Sequence, residues 1–213
     1  VRDEVEVKVV TTKPPIETKI PNNIQYIRLN SFLSKNAGSE IGEIILKTRD
    51  KDGYILDLRS NPGGLLSNAV LIADMLMRDS VIVSTVDREG YKETARAGRE
   101  LLTQKPVVVL VNKGSASASE ILSGALKENE RATIIGTQTF GKGIVQEINK
   151  LPEGSAVHIT IQHYLTPNGN DIHKKGITPD VVVEIKDEDV TNKNDVQLKK
   201  GIEVLEQKIS KSK

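Results

Sequence analysis

The residues best suited to chemistry lie in one short stretch, residues 114–120, where serines alternate with small residues: Ser115, Ser117 and Ser119. The stretch follows the apolar run 106–111, which has the composition of a buried strand. A strand that ends in a tight glycine turn and leads into a helix is a common way to present a serine hydroxyl beside backbone N–H groups. Ala116 and Ala118 leave room for a substrate backbone. The pattern therefore predicts a nucleophilic serine.

Helix capping is an alternative explanation of the same serines, because serine is a preferred N-cap residue. Ser117 and Glu120 satisfy the capping-box pattern, in which a serine hydroxyl and a glutamate carboxylate each accept a backbone N–H. A serine at a helix start would also place the following N–H groups and the positive helix end next to a developing oxyanion. Local sequence leaves both interpretations open.

Lys142 is a candidate for the base that such a serine needs. It lies between Gly141 and Gly143, which allow close approach of the backbone. Partial burial disfavours the charged ammonium, so a neutral amine becomes available as a general base. Gln146 lies on the same strand face and could orient the amine, provided that the chain bends near Gly143. A solvent-exposed loop lysine is the alternative interpretation.

A histidine base is the second possibility for such a serine, and the candidates are His158, His163 and His173. A Ser-His-Asp triad is compatible with any sequence spacing, because triads are assembled in space. His158 and His163 lie in or near strand patterns, and His173 lies in a polar segment. We therefore expect structural roles for all three.

Lys142 also belongs to a sequence that resembles a phosphate-binding loop. Residues 136–142 match the first positions of G-x-x-x-x-G-K and follow a predicted strand. The eighth position should be serine or threonine, but it is Gly143. Residues 144–148 are rich in β-branched side chains and predict a strand, whereas a phosphate-binding loop opens a helix. We interpret the match as accidental and keep an NTP-binding protein using loop 136–142 as an alternative hypothesis.

Composition excludes several classes of protein. The 213 residues have a net charge of +1, which favours neither nucleic-acid nor membrane-surface binding. The absence of cysteine excludes disulfides and thiolate chemistry, and we expect neither a metal nor a cofactor. No run approaches the roughly 20 apolar residues of a membrane-spanning helix. Because the first residues already predict a strand, we expect a fragment of a longer protein.

Strand and helix patterns alternate along the chain and predict an α/β fold with a parallel sheet. Strands are predicted at residues 4–10, 24–29, 54–58, 81–86, 107–111, 133–136, 144–148 and 157–161. Helices are predicted at about 38–49, 66–77, 118–127 and 198–209, the last of them amphipathic. A strong turn, residues 61–64, separates a buried strand from the second helix. The strand-rich ends predict a smaller antiparallel addition.

Several blocks of this sequence resemble the signature segments of the C-terminal processing peptidases, the tail-specific serine proteases. The blocks are residues 57–64, 114–120, 140–146, and the pair 165–169 and 176–180. Their order and spacing agree with the family, and the similarity runs from about residue 24 to residue 183. Four blocks in register are strong evidence, whereas one alone would be weak.

The resemblance implies an endopeptidase that cleaves proteins near or from their C-termini through a Ser-Lys dyad and an acyl-enzyme intermediate. Ser117 would be the nucleophile, Lys142 the base and Gln146 its positioning residue. The oxyanion hole would comprise the N–H groups of Gly63 and Ala118. Substrates would be proteins or peptides with unstructured C-termini, and the site of action would be extracytoplasmic, in the periplasm or cell envelope.

The resemblance also implies a crotonase/Clp-like α/β core of parallel strands and helices with a small strand-built cap from the chain ends. Residues 1–25 would contribute N-terminal strands to the cap, and residues 26–185 would form the serine protease core, with cap strands at about 156–185. Residues 186–213 would be a polar linker and a C-terminal amphipathic helix.

Family members commonly carry a PDZ domain before the core, and here only about 25 residues precede the strand at 26–29, which are too few for one. We expect that the sequence begins after such a domain or that the domain has been removed. A hypothesis from another class is a catalytically idle or self-inhibited assembly scaffold. In that case the terminal segments, the strand at 4–10 and the helix at 198–209, would form a homo-oligomer.

Overall fold

The computed structural model describes residues 8–212, apart from the side chains of Ile148, Lys150 and His158. The strands are β1 (Val10–Thr11), β2 (Ile24–Leu29), β3 (Gly53–Asp57), β4 (Val81–Asp87), β5 (Lys92–Arg96), β6 (Val107–Val111), β7 (Ala132–Gly136), β8 (Ile144–Lys150), β9 (Ala156–Leu165) and β10 (Val181–Val182). The α-helices are α1 (Ala37–Lys47), α2 (Leu66–Leu76), α3 (Ala118–Glu128), α4 (Asp187–Thr191) and α5 (Val196–Lys211). This mixed α/β architecture confirms the predicted fold class.

The larger sheet has six strands in the order β1-β2-β3-β6-β7-β10. All of its neighbours pair in parallel except β1, which runs antiparallel to β2. Its central strands β3 and β6 are buried along their whole length, which explains their continuous apolar sequences. Alternate residues of β6 face opposite sides: Val109 packs with the layer of α1, α2 and α3, and Val108 packs with α5.

The smaller sheet has four antiparallel strands in the order β5-β4-β9-β8. The prediction that the chain ends build this sheet is wrong for the described residues. β1 pairs with β2 in the larger sheet, and β10 pairs with β7 there. Of the predicted cap strands, only β9 joins the smaller sheet, while the predicted strand at residues 4–7 lies outside the described residues.

The apolar face of α5 packs on the larger sheet of the same chain. Leu198, Leu205 and Ile209 are buried against side chains of β2, β3, β6 and β7. This face is therefore not available for the assembly that the scaffold hypothesis assigned to it. Among the described residues, no helix is both long enough and apolar enough to cross a membrane.

The carboxyl ends of β3 and β6 meet at one edge of the larger sheet, where parallel strands commonly place their functional loops. The turn at residues 58–64 follows β3, and the loop at residues 112–117 follows β6 and leads directly into α3. Several hydrogen bonds join the two segments. Ala116 N–H donates to Asn61 O at 3.0 Å, Ser60 N–H donates to Asn112 Oδ1 at 2.7 Å, and a serine hydroxyl described below also donates to the turn.

Candidate active site

Ser117 is the residue that precedes α3, and its backbone is strained. Its φ is 55° and its ψ is −114°, a region that residues other than glycine rarely adopt. Strain of this kind costs of order 1–3 kcal/mol and persists only where the surroundings enforce it. The side chain is half-buried at the carboxyl edge of the sheet. The sharp turn therefore places the Ser117 hydroxyl at the start of a helix, as the sequence predicted.

The hydroxyl groups of the three neighbouring serines have different surroundings. The Ser115 hydroxyl donates to Leu58 O at 2.8 Å, and the Ser119 hydroxyl donates to Asn61 O at 2.9 Å. Both serines are fully buried. Within the part of the chain that the structure describes, the Ser117 hydroxyl donates no hydrogen bond, although its oxygen lies in the capping position toward the Glu120 N–H. Ser115 and Ser119 therefore hold the loop against the turn after β3, whereas the Ser117 hydroxyl is left for another partner.

The capping interpretation of Ser117 is half correct. Glu120 Oε2 accepts the Ser117 N–H at 2.9 Å, which is one half of a capping box. In the other half, the Ser117 hydroxyl faces the Glu120 N–H, but that N–H donates to Ser117 O at 2.8 Å. Capping therefore accounts for the glutamate but not for the serine.

Glu120 holds the two candidate catalytic segments together, and this role was not foreseen from the sequence. Its side chain is fully buried. Oε2 accepts the N–H of Ser117 at 2.9 Å and that of Lys142 at 2.8 Å. Oε1 accepts the Gly141 N–H at 2.7 Å and the Thr139 hydroxyl at 2.5 Å. The capping-box pattern was the only sequence signal for Glu120, and it reports one of these four bonds.

The loop that carries Lys142 is fixed on its other side by the segment around residues 172–176. The Lys174 N–H donates to Gly141 O at 2.8 Å. Gly143 lies so close to that segment that an added Cβ would sit 2.4 Å from His173 N. Gly141 has a φ of 90°. Both glycines therefore permit the close backbone packing that the sequence predicted.

The Lys142 side chain is half-buried, but its amine is not engaged with the serine. No hydrogen bond of the described residues joins Lys142 Nζ to Ser117 Oγ or to Gln146. Gln146 is exposed on β8, and the pairing register with β9 shifts between Val145 and Gln146. A strand irregularity, which the predicted contact between Lys142 and Gln146 required, is thus present three residues after Gly143.

The predicted oxyanion residues lie side by side. A Cβ added at Gly63, whose φ is 99°, would lie 2.7 Å from Ala116 O and 3.0 Å from Ala118 N. The Ala118 N–H has no partner among the described residues. The Gly63 N–H, by contrast, donates to Asn61 Oδ1 at 2.9 Å. Within the described chain, the Gly64 N–H of the same turn makes no hydrogen bond.

The phosphate-loop hypothesis for residues 136–142 is not supported by the surroundings of their N–H groups. Carbonyl oxygens accept the N–H groups of Thr137, Thr139 and Phe140, and the Glu120 carboxylate accepts those of Gly141 and Lys142. A phosphate would need these donors, and it would meet a buried carboxylate instead. The loop also leads into β8 rather than into a helix.

The described histidines lie beside the lysine loop rather than beside the serine. The rings of His163 and His173 are 6.0 Å apart, edge to face. His163 Nδ1 lies 3.8 Å from Asp171 Oδ2, and neither histidine bonds to Ser117 within the described structure. The side chain of His158 lies outside the described residues. Across the described side chains, no three His, Asp or Glu residues converge in a way that could hold a metal ion.

A buried ionic cluster supports the turn after β3. Arg59 donates to both Asp57 and Asp195, and Asp195 also caps α5 by accepting the Leu198 N–H at 2.9 Å. Burial alone would raise the pKa of Asp57, but the hydrogen bonds and charge of Arg59, helped by the charge of Arg28, hold it below its usual value. Burial alone would lower the pKa of Arg59, and the two carboxylates raise it instead. The cluster therefore anchors the chain just before Asn61 and Gly63.

Comparison with known proteins gives the family of this chain. The sequence pattern of peptidase family S41 matches residues 23–183. The chain belongs to peptidase family S41. It is 47% identical over 188 residues to a carboxyl-terminal-processing protease of Synechocystis, which covers 86% of this chain and 44% of that protein. It is 41% identical over 180 residues to the carboxy-terminal processing protease CtpA of Bacillus subtilis, which covers 81% of this chain and 38% of that protein.

Solved structures place this S41 chain in the same fold group. A photosystem II D1 C-terminal processing protease superposes with a TM-score of 0.73 at 35% identity, covering 84% of this chain and 49% of that one. The tricorn protease shares the fold alone, with a TM-score of 0.66 at 21% identity over 88% of this chain and 18% of that one. The chain spans less than half the length of the two curated relatives named above.

Proposed function

We propose that this S41 domain is a serine endopeptidase that cleaves proteins near or from their C-termini, with Ser117 as nucleophile and Lys142 as general base. The observation that carries the proposal is the contrast among the three serines. Ser117 combines a strained backbone with a hydroxyl that donates to no described group, while the hydroxyls of Ser115 and Ser119 donate to carbonyl oxygens. Glu120 then fixes the backbone of Ser117 relative to that of Lys142.

In the proposed mechanism, the neutral Lys142 amine takes the proton from Ser117 Oγ as that oxygen attacks the substrate carbonyl carbon. The resulting tetrahedral oxyanion collapses, the C–N bond breaks, and the Lys142 ammonium gives its proton to the leaving amine. The acyl group remains on Ser117. The same amine then removes a proton from water, which attacks the ester and releases the acid, and Ser117 regains its proton.

We assign the oxyanion hole to the N–H groups of Ala118 and Gly63. Ala118 begins α3, so the positive end of the helix adds to the stabilisation of the developing charge. The Gly63 N–H currently donates to Asn61 Oδ1. When the oxyanion forms, the Gly63 N–H must donate to both acceptors or exchange Asn61 Oδ1 for the oxyanion. The Gly64 N–H is the alternative second donor.

We propose that the structure represents a resting state, in which the dyad is not engaged. Engagement requires the Lys142 side chain to turn toward Ser117 Oγ, since no hydrogen bond joins them now. Gln146 would then hold the amine through its carbonyl oxygen, which adds no charge. We further propose that the enzyme needs no metal or cofactor, takes unstructured C-terminal segments of proteins, and acts outside the cytoplasm. Its similarity to carboxyl-terminal-processing proteases supports this choice of substrate.

Cleavage of casein, an unstructured protein, tests the dyad. Ser117→Ala and Lys142→Ala should each abolish cleavage, and a chelator should leave the wild-type rate unchanged. Matched controls come from the same loop: Ser115→Ala and Lys113→Ala change a neighbouring serine and an exposed neighbouring lysine, and both should retain activity.

The outcomes separate the hypotheses. Retained cleavage in Ser117→Ala or Lys142→Ala would contradict the dyad. A wild-type protein that neither cleaves casein nor reacts at Ser117 with a serine-directed phosphonate would favour the idle-scaffold hypothesis. Saturable Mg-ATP binding would favour the nucleotide-binding hypothesis for loop 136–142.

A further inference from the structure

A cavity of about 870 Å³ lies at the edge of the larger sheet opposite Ser117. Its walls come from the amino ends of the parallel strands, at Tyr54, Val107 and Arg131, and from the last turns of α5. The volume is that of a ligand pocket for a small molecule, which commonly spans about 300–1,000 Å³. The cavity takes no part in the dyad, because Ser117 and Lys142 do not line it.

Cationic side chains outnumber acidic ones around this cavity: Arg49, Lys105, Arg131, Lys208 and Lys211 against Asp52 and Glu130. Among the described side chains, Glu130 forms no ion pair with any of the five cations. The whole chain carries a net charge of only +1, so this concentration of positive charge is local. Leu102, Pro106 and Ile209 add apolar wall.

Arg131 is half-buried at the cavity wall. Its guanidinium donates to three carbonyl oxygens, those of Leu76, Thr103 and Lys105, at 2.5–3.0 Å. Burial lowers the pKa of Arg131. Buried charges are normally paired, since removing an ion from water without a counter-charge is costly. Carbonyl oxygens orient Arg131 but do not neutralise it.

Lys105 has the same kind of environment. Its ammonium donates to the carbonyl oxygens of Arg49 and Lys51, which hold it at the cavity wall. Lys208 and Lys211 lie in the last turn of α5, where they also offset the negative end of the helix. An anion in the cavity would therefore meet Arg131 and Lys105, which carbonyl oxygens orient, and the two lysines at the end of α5.

We propose that this cavity is a binding site for a small organic polyanion that carries carboxylate or phosphate groups and a compact apolar portion. The anionic groups would pair with Arg131, Lys105 and the α5 lysines, and the apolar portion would lie on Tyr54, Leu102 and Ile209. Charge-assisted hydrogen bonds of this kind are the strong ones. The site is separate from the peptidase centre, so its occupancy can be measured without proteolysis.

Isothermal titration calorimetry at constant ionic strength tests the site, with citrate and inorganic phosphate as the two probes and acetate as the monovalent control. Citrate should bind saturably and acetate should not. Weaker binding of phosphate than of citrate would show that the apolar and carboxylate portions of the ligand contribute to affinity. The variant K208Q/K211Q should weaken citrate binding about tenfold, as expected for the loss of two charge-assisted contacts.

The matched control is K199Q/K200Q, which removes the same charge from the same helix outside the cavity lining. It should change citrate affinity less than about twofold, because exposed charges contribute little. Arg131→Gln, checked for folding by circular dichroism, should abolish binding. Absence of saturable binding by both probes, no effect of K208Q/K211Q, or equal weakening by both double variants would overturn the proposal.

Discussion

The backbone N–H groups of Ser117 and Lys142 donate to the same atom, Glu120 Oε2, at 2.9 and 2.8 Å. A single buried carboxylate oxygen thus ties the helix start that carries the proposed nucleophile to the loop that carries the proposed base. The distance between the two backbones is set by this oxygen even though the side chains of Ser117 and Lys142 do not touch. Glu120 belongs to α3, the helix that Ser117 precedes, so this helix carries the connection.

Glu120→Gln should damage activity more than stability. A glutamine has one acceptor oxygen, and its NH₂ group would face two of the four donors that the carboxylate now accepts. We expect the free energy of unfolding to fall by roughly 1–3 kcal/mol. We expect kcat to fall about 10- to 100-fold, because the base and nucleophile lose their alignment. Urea unfolding and peptidase kinetics measure the two effects.

Glu128→Gln is the control for Glu120→Gln, since Glu128 lies on the same helix and also holds a loop by accepting hydrogen bonds. It accepts from the Thr166 hydroxyl, the Asn168 N–H and the Asn170 amide, far along the chain from Lys142. It should lose stability while kcat stays nearly unchanged. Equal losses of kcat in both variants would mean that Glu120 acts only through general stability.

Alanine variants of the three serines should differ in whether they lose peptidase activity or stability. Ser115→Ala and Ser119→Ala each remove a buried hydroxyl that donates to a carbonyl, and each should cost about 1 kcal/mol in the free energy of unfolding. Ser117→Ala removes a hydroxyl without a described partner and should change stability by less than about 0.5 kcal/mol while abolishing cleavage. Thermal unfolding and casein cleavage on the same preparations check the pattern. A large stability loss in Ser117→Ala would assign its hydroxyl a structural role.

The parts of the fold that sequence predicts are those with a local cause. β3 and β6 are buried on both faces, so their unbroken apolar runs identify them. β5 was missed because it is an edge strand with four of five residues exposed, which leaves no alternation of apolar and polar residues. The amphipathic pattern predicts α5, but it does not tell whether the apolar face packs on its own sheet or on another chain.

The same distinction applies to the candidate site. The resemblance to a family singles out Ser117 and Lys142 as site residues. Ser117 lies among small residues and Lys142 lies between glycines, and these settings, unlike those of ordinary loops, give a physical reason for choosing both. The role of Glu120 depends on where residues 139–142 lie in space, 19 residues or more along the chain, and no local pattern encodes that. Hydrogen bonds between segments that are distant in the sequence are therefore the part of the site that the sequence does not predict.

Gly63→Ala should abolish activity for a steric reason. The new Cβ would lie 2.7 Å from Ala116 O and 2.9 Å from Ser117 Cβ, so the turn after β3 must move away from the serine. The positive φ of 99° adds strain of about 1 kcal/mol. Gly90→Ala is the control, because Gly90 has a φ of 84° and nothing within 4 Å of an added Cβ. It should lose a similar amount of stability to strain and keep full activity. Similar activities in the two variants would exclude a steric role for Gly63 at the site.

The buried carboxylate of Asp57 should make the protein sensitive to acid. Its pKa is lower in the folded protein than the ordinary value of 3.8, because Arg59, Arg28 and the Tyr26 hydroxyl together outweigh the effect of burial. Between the two pKa values the unfolded chain binds more protons than the folded one, so stability rises with pH in that window. The contribution of Asp57 is fully present above pH 3.8 and is lost as the pH falls through the folded pKa. Urea unfolding at a series of acidic pH values should show this fall.

Asp57→Asn separates this carboxylate from the others that titrate in acid. It leaves the charge of Arg59 partly uncompensated and should lower the free energy of unfolding at neutral pH by about 3 kcal/mol. Part of the wild-type loss of stability in acid should then be missing, because the titrating group is gone. Asp50→Asn is the control, since Asp50 is 72% exposed beside Lys51 and should leave both the neutral-pH stability and the acid slope unchanged. An acid slope in Asp57→Asn that equals the wild-type slope would show that other carboxylates cause the fall. In that case the buried ionic cluster of Asp57, Arg59 and Asp195 would not be the part of the fold that acid destabilises.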